Sequence, residues 1–415
     1  MTHRGLTGRP VRKVLLYSHD TYGLGHLRRN LRIASHLLSS DPSLRVVLMS
    51  GSPVASHFSV PDGLSLVKLP SVTKTGSEQY QPLDRRLTLG VVRRTRTAVM
   101  CDVVRRFRPD VLLVDHSPAG MHGELLGVFD AVRAHSPATR LVLGLRDILD
   151  DPAAVTKTWR SQGIYGLLED VYHQVVVYGS QDLFDVGREY LLPSSVREAI
   201  VYCGYLRPTA AGESTTTTTS DRGRPTLLAT AGGGGDGLAV LAGAIDAGPR
   251  LGLHTVAVTG PLMNDDDYRT VEDLAARHDS VEVLRFHPDM PSVMEAARLI
   301  VTMGGYNTLT EAVASGTPTI VVPRRHPRAE QAIRADLFAG QGLVGVVDSG
   351  PDLGERIARA ASDPSVARPA PDRLDFDGLN RLTRVLTDPG SSCRQAKAAR
   401  PASHQFTSVG QRLPA

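Results

Sequence analysis

The chain has 415 residues, of which 41% are hydrophobic and 22% charged, so it is long enough to build two separate cores. Its formal net charge is only +4, which argues against the strongly basic field of a nucleic-acid-binding protein. Residues 1–12 are polar and basic, and no stretch reaches the roughly 18 apolar residues of a membrane span, so the sequence predicts a cytoplasmic protein.

The first half of the chain alternates short apolar runs with helical patterns. Strands are predicted at residues 14–17, 45–49, 111–114, 141–145 and 175–178, with helices between them. Short buried strands separated by helices predict a parallel sheet covered on both faces. We therefore expect an α/β domain over residues 1–206.

An arginine-rich helix is predicted within residues 85–108. Its apolar residues favour a helix that is packed on one face and solvated on the other. The alternative is peripheral contact with an anionic membrane or with a phosphate-bearing acceptor.

A change of composition separates the two halves. Residues 207–224 are rich in hydroxyl residues and glycine, which cannot build a core, and are predicted to be a linker. Strands are then predicted at residues 226–230, 254–259, 281–286, 299–303 and 319–322, giving a second doubly wound domain over residues 225–388. Residues 389–415 lack periodicity and are predicted to form a disordered tail. Two such domains would face each other across a cleft that holds the active site.

The turn between the first strand and its helix carries candidate catalytic residues. Gly25 and His26 open the helix, where the dipole disfavours an imidazolium and keeps a neutral ring that can take a proton. Arg28 and Arg29 also lie at this positive end, so an anionic ligand nearby would explain them. Gly25 and Arg29 are therefore assigned to the acceptor or phosphate side. A capping histidine beside a solvated arginine pair is the alternative.

Two further strand ends point to the same site. Asp115 ends the strand at residues 111–114 and would orient the ring of His26 if the two residues are in contact. An ordinary aspartate at a strand end is the alternative. Arg146 ends the strand at residues 141–145 and is assigned to the acceptor side.

The second domain contains two glycine turns. Gly232, Gly233 and Gly234 follow its first strand and would let backbone N–H groups approach phosphate oxygens, with a flexible surface turn as the alternative. No Gly-Lys-Ser/Thr closes this run, so it is not a Walker loop. A second turn, at Gly304 and Gly305, opens a helix whose N–H groups favour an anion or a ligand hydroxyl.

Glu311 has two interpretations. One turn inside that helix, its carboxylate is placed to accept hydrogen bonds from both hydroxyls of a ribose. Thr308 and Glu311 also have the spacing of a capping box, in which the glutamate binds only backbone N–H groups. Spacing alone leaves both open.

No metal site is predicted. Cys101, Cys203 and Cys393 are far apart and odd in number, which suggests neither zinc ligands nor disulfides. The acidic run at residues 265–267 is expected to lie in a solvated surface loop.

The segment from Met303 to Gly342 resembles the C-terminal signature of glycosyltransferase family 28: a glycine turn, a glutamate, G-x-P, a further proline and E-Q followed by R-A. The resemblance implies the GT-B architecture of two Rossmann-like domains. It also implies that Glu311 binds the donor ribose, that Glu330 and Gln331 reach the sugar hydroxyls, and that Phe286 lies beside the base, with a core phenylalanine as the alternative. The remaining implied donor residues are the diphosphate loop Gly232, Gly233 and Gly234, and the phosphate and sugar side formed by Gly304, Gly305, Asn307 and Thr308.

The expected activity is transfer of a sugar from a UDP-sugar or similar donor to an unidentified acceptor hydroxyl. By family resemblance the reaction inverts the anomeric carbon and needs no metal ion or cofactor. The G-H-x-x-R pattern from Gly25 to Arg29 also resembles the nucleotide-sugar hydrolase of pseudaminic acid synthesis, so hydrolysis is one alternative. A non-catalytic nucleotide-sugar-binding protein is another.

Overall fold

The computed structural model describes residues 10–20, 25–55, 58, 60–76, 79–207, 224–363 and 371–388. Most of the predicted linker and all of the predicted tail lie outside these residues. The chain divides into two compact units, one of residues 1–204 with 377–415 and the other of residues 205–376.

The N-terminal unit is built on a parallel sheet of seven strands in the order β3-β2-β1-β6-β7-β8-β9. Its strands are β1 (Lys13–Ser18), β2 (Arg45–Ser50), β3 (Leu64–Lys68), β6 (Val111–Asp115), β7 (Arg140–Arg146), β8 (Gln174–Tyr178) and β9 (Ile200–Tyr202), and β4 (Val72–Gly76) pairs with β5 (Gln79–Pro82) in a separate antiparallel hairpin. The strand order reverses between β1 and β6, the place where α/β sheets bind ligands. All five strands predicted for this half are present.

Along the first part of the chain, the helices of this unit lie between its strands. They are α1 (Gly25–Ser40), α2 (Leu89–Phe107), α3 (Leu126–His135), α4 (Pro152–Ser161), α5 (Ile164–Asp170), α6 (Val186–Glu189) and α7 (Ser194–Arg197). The arginine-rich helix is α2, and its buried side chains Val92, Arg96, Met100 and Val104 form one face, as the packing interpretation requires. Within the described residues, no helix combines the length and apolar character needed to cross a membrane.

The last helix belongs to the N-terminal unit, although the sequence predicted it to be part of the C-terminal domain of residues 225–388. Helix α14 (Gly378–Thr387) buries an apolar face that includes Leu379, Leu382 and Leu386. Arg140 of β7 donates to the carbonyl oxygens of Leu386 and of Val385, which ties the end of α14 to the first sheet. The helical pattern alone could not show which core this face would join.

The C-terminal unit contains a second parallel sheet, of six strands in the order β12-β11-β10-β13-β14-β15. The strands are β10 (Thr226–Thr230), β11 (His254–Val258), β12 (Val281–Leu284), β13 (Leu299–Thr302), β14 (Thr319–Val321) and β15 (Gly345–Val346). The helices are α8 (Leu238–Arg250), α9 (Asp265–Ala275), α10 (Met290–Ala296), α11 (Tyr306–Ser315), α12 (Glu330–Gly340) and α13 (Leu353–Ala361). This order reverses between β10 and β13, the strands that the two glycine turns follow.

The acidic run at residues 265–267 is helical, so the prediction of a surface loop was wrong. Asp265, Asp266 and Asp267 form the first turn of α9, and the side chain of Asn264 accepts a hydrogen bond from the Asp267 N–H as the N-cap. Carboxylates are favoured there because the positive end of the helix dipole attracts them. In the part of the chain that the structure describes, no group of three or more His, Cys, Asp or Glu is arranged to hold a metal ion.

Candidate functional site

The first candidate site lies where the strand order of the N-terminal sheet reverses. Ser18 at the end of β1 pairs in register with Asp115 at the end of β6, and α1 begins at Gly25 shortly after β1. Because parallel strands end at the same edge of the sheet, this places the start of α1 beside Asp115.

His26 and Asp115 are in direct contact. Nδ1 of His26 lies 2.8 Å from Oδ2 of Asp115, and the carboxylate is fully buried. Asn30, one turn further along α1, donates its side-chain N–H to the same oxygen at 3.1 Å. The contact predicted from the strand end is therefore present, and the roles of the two residues stay predictions.

Arg29 binds both oxygens of Asp115, which corrects its assignment to the acceptor or phosphate side. Its Nη2 lies 2.9 Å from Oδ1 and 2.8 Å from Oδ2, and Nε donates to Oδ1 at 3.0 Å. The guanidinium is buried and also lies over the ring of Tyr178. The anion that explains this arginine at a helix N-terminus is thus part of the protein.

Two neighbours of Nδ1, Asp115 and Arg29, bear on the tautomer of His26. Burial alone would raise the pKa of the Asp115 carboxyl, but Arg29 and His26 hold it well below its usual range, so the group is an acceptor only. A hydrogen on Nδ1 would be donated to Asp115 and would leave Nε2 with a free electron pair, whereas Nη2 of Arg29, which can only donate, lies 2.9 Å from the same Nδ1. That Nε2 is the basic nitrogen stays a prediction. Burial lowers the pKa of His26 and outweighs the opposing effect of Asp115. A neutral ring with a basic Nε2 is what a general base requires.

Two more histidines lie beside His26, and the sequence patterns did not single them out. The ring centroid of His116 is 5.0 Å from that of His26, and that of His19 is 6.1 Å from it. His116 has a positive φ of 73°, and its Nδ1 is buried without a hydrogen-bond partner among the described residues. Burial lowers its pKa well below the usual range, and Arg146 lowers it further. Arg146 is therefore near enough to His116 to affect its pKa, and its assignment to the acceptor side stays a prediction.

The second candidate site lies where the order of the C-terminal sheet reverses. Gly232 has a φ of 65°, and a Cβ added to it would lie 3.3 Å from the hydroxyl of Thr308 in α11. Gly234 has a φ of 97°, and a Cβ there would meet the carbonyl oxygen of Thr259 at 2.4 Å, so only glycine fits. Gly233 accepts a hydrogen bond from the N–H of Leu262. The predicted diphosphate loop thus adjoins the start of α11 and has a defined conformation.

Glu311 is not part of a capping box. The N-cap of α11 is Gly305 and the helix begins at Tyr306, so Thr308 and Glu311 are both inside it. The Glu311 side chain is buried, with 3% of the residue exposed, and Asn307 and Thr308 of the first turn are also buried. The capping interpretation was wrong, and the ribose interpretation stays a prediction.

Arg324 organises the residues predicted to reach the donor sugar. Its Nη2 donates to Oε1 of Glu330 at 2.7 Å, and its backbone N–H donates to Oε1 of Gln331 at 3.2 Å. Its Nη1 donates to Oδ2 of Asp236, just beyond the glycine loop, at 2.6 Å. No sequence pattern singled out Arg324, because it lies in a loop without periodicity.

Phe286 lies beyond the end of β12 and is 38% exposed. A core phenylalanine, the alternative to a position beside the base, is excluded. Arg285 next to it lies over the ring of Tyr268 and pairs with Asp265 at 2.6 Å.

The sequence comparisons point to one family. Residues 244–360 match the glycosyltransferase family 28 C-terminal domain. Similar curated proteins include the UDP-N-acetylglucosamine–N-acetylmuramyl-(pentapeptide) pyrophosphoryl-undecaprenol N-acetylglucosamine transferase of Corynebacterium efficiens, which is 29% identical over 157 residues, 37% of this chain and 41% of the relative. The same enzyme of Cutibacterium acnes is 30% identical over 165 residues, 39% of this chain and 43% of the relative. The chain thus spans less than half the length of these relatives.

Solved structures show the same fold at low identity. MurG of Acinetobacter baumannii has a TM-score of 0.56 and 13% identity, with 90% of this chain and 99% of that chain covered. The calicheamicin glycosyltransferase CalG4 has a TM-score of 0.57 and 17% identity, with 89% and 95% covered. The chain therefore has the GT-B fold with two Rossmann-like units. Within its C-terminal unit, residues 244–360 are similar to the family 28 C-terminal domain.

Proposed function

We propose that the protein transfers a sugar from a nucleotide-sugar donor to an acceptor hydroxyl. The observation that carries this proposal is the match of residues 244–360 to the family 28 C-terminal domain, because that segment contains Glu311, Glu330 and Gln331. The curated relatives are named as users of UDP-N-acetylglucosamine, and for this chain we propose a UDP-sugar.

In the proposed reaction, the acceptor O–H gives its proton to Nε2 of His26 while the acceptor oxygen bonds to the anomeric carbon. The bond from that carbon to the diphosphate breaks, and the diphosphate leaves with the electron pair, inverting the configuration. Asp115 stabilises the resulting imidazolium through the Nδ1 hydrogen bond. The N–H groups of the glycine loop and of the start of α11 would stabilise the charge on the leaving diphosphate without a metal ion.

The test is acceptor dependence. Purified protein is incubated with a panel of nucleotide-sugars, with and without candidate acceptors, while released nucleoside diphosphate and glycosylated product are quantified by mass spectrometry, with and without EDTA. Release of nucleoside diphosphate that requires an acceptor and accompanies glycosylated product, in EDTA as well, supports the proposal. Equal release from donor alone would mean hydrolysis, and saturable donor binding without turnover would mean a binding protein.

A further inference from the structure

Arg324 joins two parts of the C-terminal unit that are distant in sequence. Asp236 lies in the loop between β10 and α8, just after Gly234, and Glu330 is the first residue of α12. The guanidinium of Arg324 donates to Oδ2 of Asp236 at 2.6 Å and to Oε1 of Glu330 at 2.7 Å. One side chain therefore ties the glycine loop to the helix that carries the predicted sugar-binding residues.

The hydrogen bonds around Glu330 leave one acceptor unused. Its Oε1 is held by Arg324, whereas its Oε2 is buried and has no hydrogen-bond partner within the described part of the chain. A buried acceptor without a donor is costly, and a hydroxyl of a bound ligand would satisfy it. Arg324 thus fixes Glu330 through Oε1 and leaves Oε2 as a buried acceptor without a donor among the described residues.

The charges around Arg324 bear on the binding of an anion. Asp236 and Glu330 place two carboxylates beside a loop whose glycines suit phosphate oxygens, and like charges this close would oppose a diphosphate. Arg324 lies between the two carboxylates. Burial lowers its pKa, but the two carboxylates raise it by more, so it stays cationic. Without the guanidinium both carboxylates would face the ligand uncompensated.

Resting on the proposed function, we propose that Arg324 is a positioning residue for the nucleoside diphosphate of the donor. It acts by holding Glu330 in place and by neutralising Asp236 at the edge of the diphosphate loop. The neighbouring Arg325 is a matched control because it pairs with other carboxylates. Its guanidinium donates to Asp348, which follows β15, at 2.8 Å and lies 3.9 Å from Asp336.

The experiment measures binding of UDP and of UDP-N-acetylglucosamine by calorimetry in the full chain. We expect Arg324→Met to raise Kd about tenfold or more, the size of effect of losing a charged hydrogen-bonding group. Arg324→Lys keeps the charge but loses the guanidinium that donates to both carboxylates, so its Kd should lie between those of wild type and Arg324→Met. Arg325→Met should bind like wild type. Adding Asp236→Asn to Arg324→Met should recover at least half of the lost affinity on a logarithmic scale.

The outcomes separate the role of Arg324 from the proposed function. If wild type binds UDP and folded Arg324→Met binds it within about threefold of wild type, Arg324 has no such role and the proposed function stands. Failure of Asp236→Asn to rescue folded Arg324→Met overturns the charge neutralisation. If wild type binds no nucleoside diphosphate, the proposed function fails and the role of Arg324 with it. Should Arg324→Met not unfold cooperatively, Asp236→Asn alone carries the test, and weaker UDP binding by that variant overturns the proposal.

Discussion

Nδ1 of His26 lies 2.8 Å from Oδ2 of Asp115, although the two residues are 89 positions apart in sequence. The contact follows from the sheet, because β1 and β6 are neighbours and end at the same edge. Arg29, from the same first turns of α1, holds both oxygens of the carboxylate. Asp115 therefore has two kinds of partner, one that would take part in chemistry and one that secures the helix to the sheet.

Replacing His26 should reduce turnover without affecting donor binding. A positioned general base contributes about 10²–10⁴-fold, so His26→Ala should lower kcat by that order. Its fold should persist because Asp115 keeps its bonds to Arg29 and Asn30. Steady-state kinetics and donor calorimetry check this. The control is His36→Ala, on the same helix, where Nε2 of the histidine lies 3.1 Å from Oδ1 of Asn380; a similar kcat for both variants would remove His26 as the base.

Asp115→Asn should cost stability as well as activity. The carboxylate is fully buried against the buried guanidinium of Arg29, and removing one partner of such a pair costs about 3 kcal/mol or more. Urea unfolding should therefore show a marked loss for Asp115→Asn and little for His26→Ala. Combining Asp115→Asn with Arg29→Met should recover much of the loss, since no charge is then left unpaired. Equal stability of Asp115→Asn and wild type would show that the pair contributes nothing net.

The inner strands could be predicted because they are continuous apolar runs, whereas the two edge strands of the N-terminal sheet could not. Every side chain of β6 is buried, and its pattern is unambiguous. β3 and β9 lie at the two edges of the sheet and bury no side chain fully. β3 mixes apolar and polar residues and β9 is only three residues long, so each gives a weak signal. Local patterns also say nothing about which core a helix joins, which is why α14 was placed in the wrong unit.

The candidate site was predictable where chemistry depends on a strand end or a helix start, as for His26, Asp115 and the glycine turns. It was not predictable where a partner comes from elsewhere in the chain. Arg29 suggested an external anion because its internal one, Asp115, is remote in sequence. The N-cap Asn264 and the acidic residues after it, which suit the first turn of a helix, were a local signal for α9.

The pH dependence of catalysis should show a base that titrates below its ordinary value. Burial lowers the pKa of His26 from 6.5, and the ring acts as a base only when neutral, that is, above its pKa. The acid limb of kcat/KM should therefore have its midpoint below 6.5, with activity rising with pH through it and level above it. His26→Ala should lack this limb. A wild-type midpoint above 6.5 would mean that Asp115 outweighs burial.

Glu311 should govern nucleotide binding. A carboxylate that holds both ribose hydroxyls contributes about 1.5–3 kcal/mol as a charged acceptor, so Glu311→Ala should weaken nucleotide binding about tenfold or more. Glu311→Gln, which keeps the shape of this buried side chain, separates loss of charge from loss of packing. Glu295→Gln, on the exposed face of α10, is the control, and calorimetry is the measurement. Unchanged affinity in folded Glu311 variants would make the residue structural.

A substitution at the start of α11 should affect folding stability and UDP binding differently. Gly305 is the N-cap, with φ −61° and ψ 144°, and a Cβ added there meets no atom within 4 Å. Alanine fits this backbone, so Gly305→Ala should change the free energy of unfolding by no more than about 1 kcal/mol. If the diphosphate approaches these N–H groups, however, the methyl group occupies the space that its oxygens need, and UDP binding should weaken about tenfold.

Gly340 at the end of α12 provides the matched control for Gly305, because a Cβ there also meets no atom within 4 Å. Gly340→Ala should leave the Kd for UDP unchanged and should stabilise the fold by no more than about 1 kcal/mol, because alanine is favoured over glycine in a helix. Thermal unfolding and calorimetry on the two variants therefore separate a generic effect of alanine from a ligand contact. If Gly305→Ala binds UDP as tightly as Gly340→Ala does, the phosphates do not approach the start of α11, and the glycine loop at Gly232 and Gly234 must hold them alone.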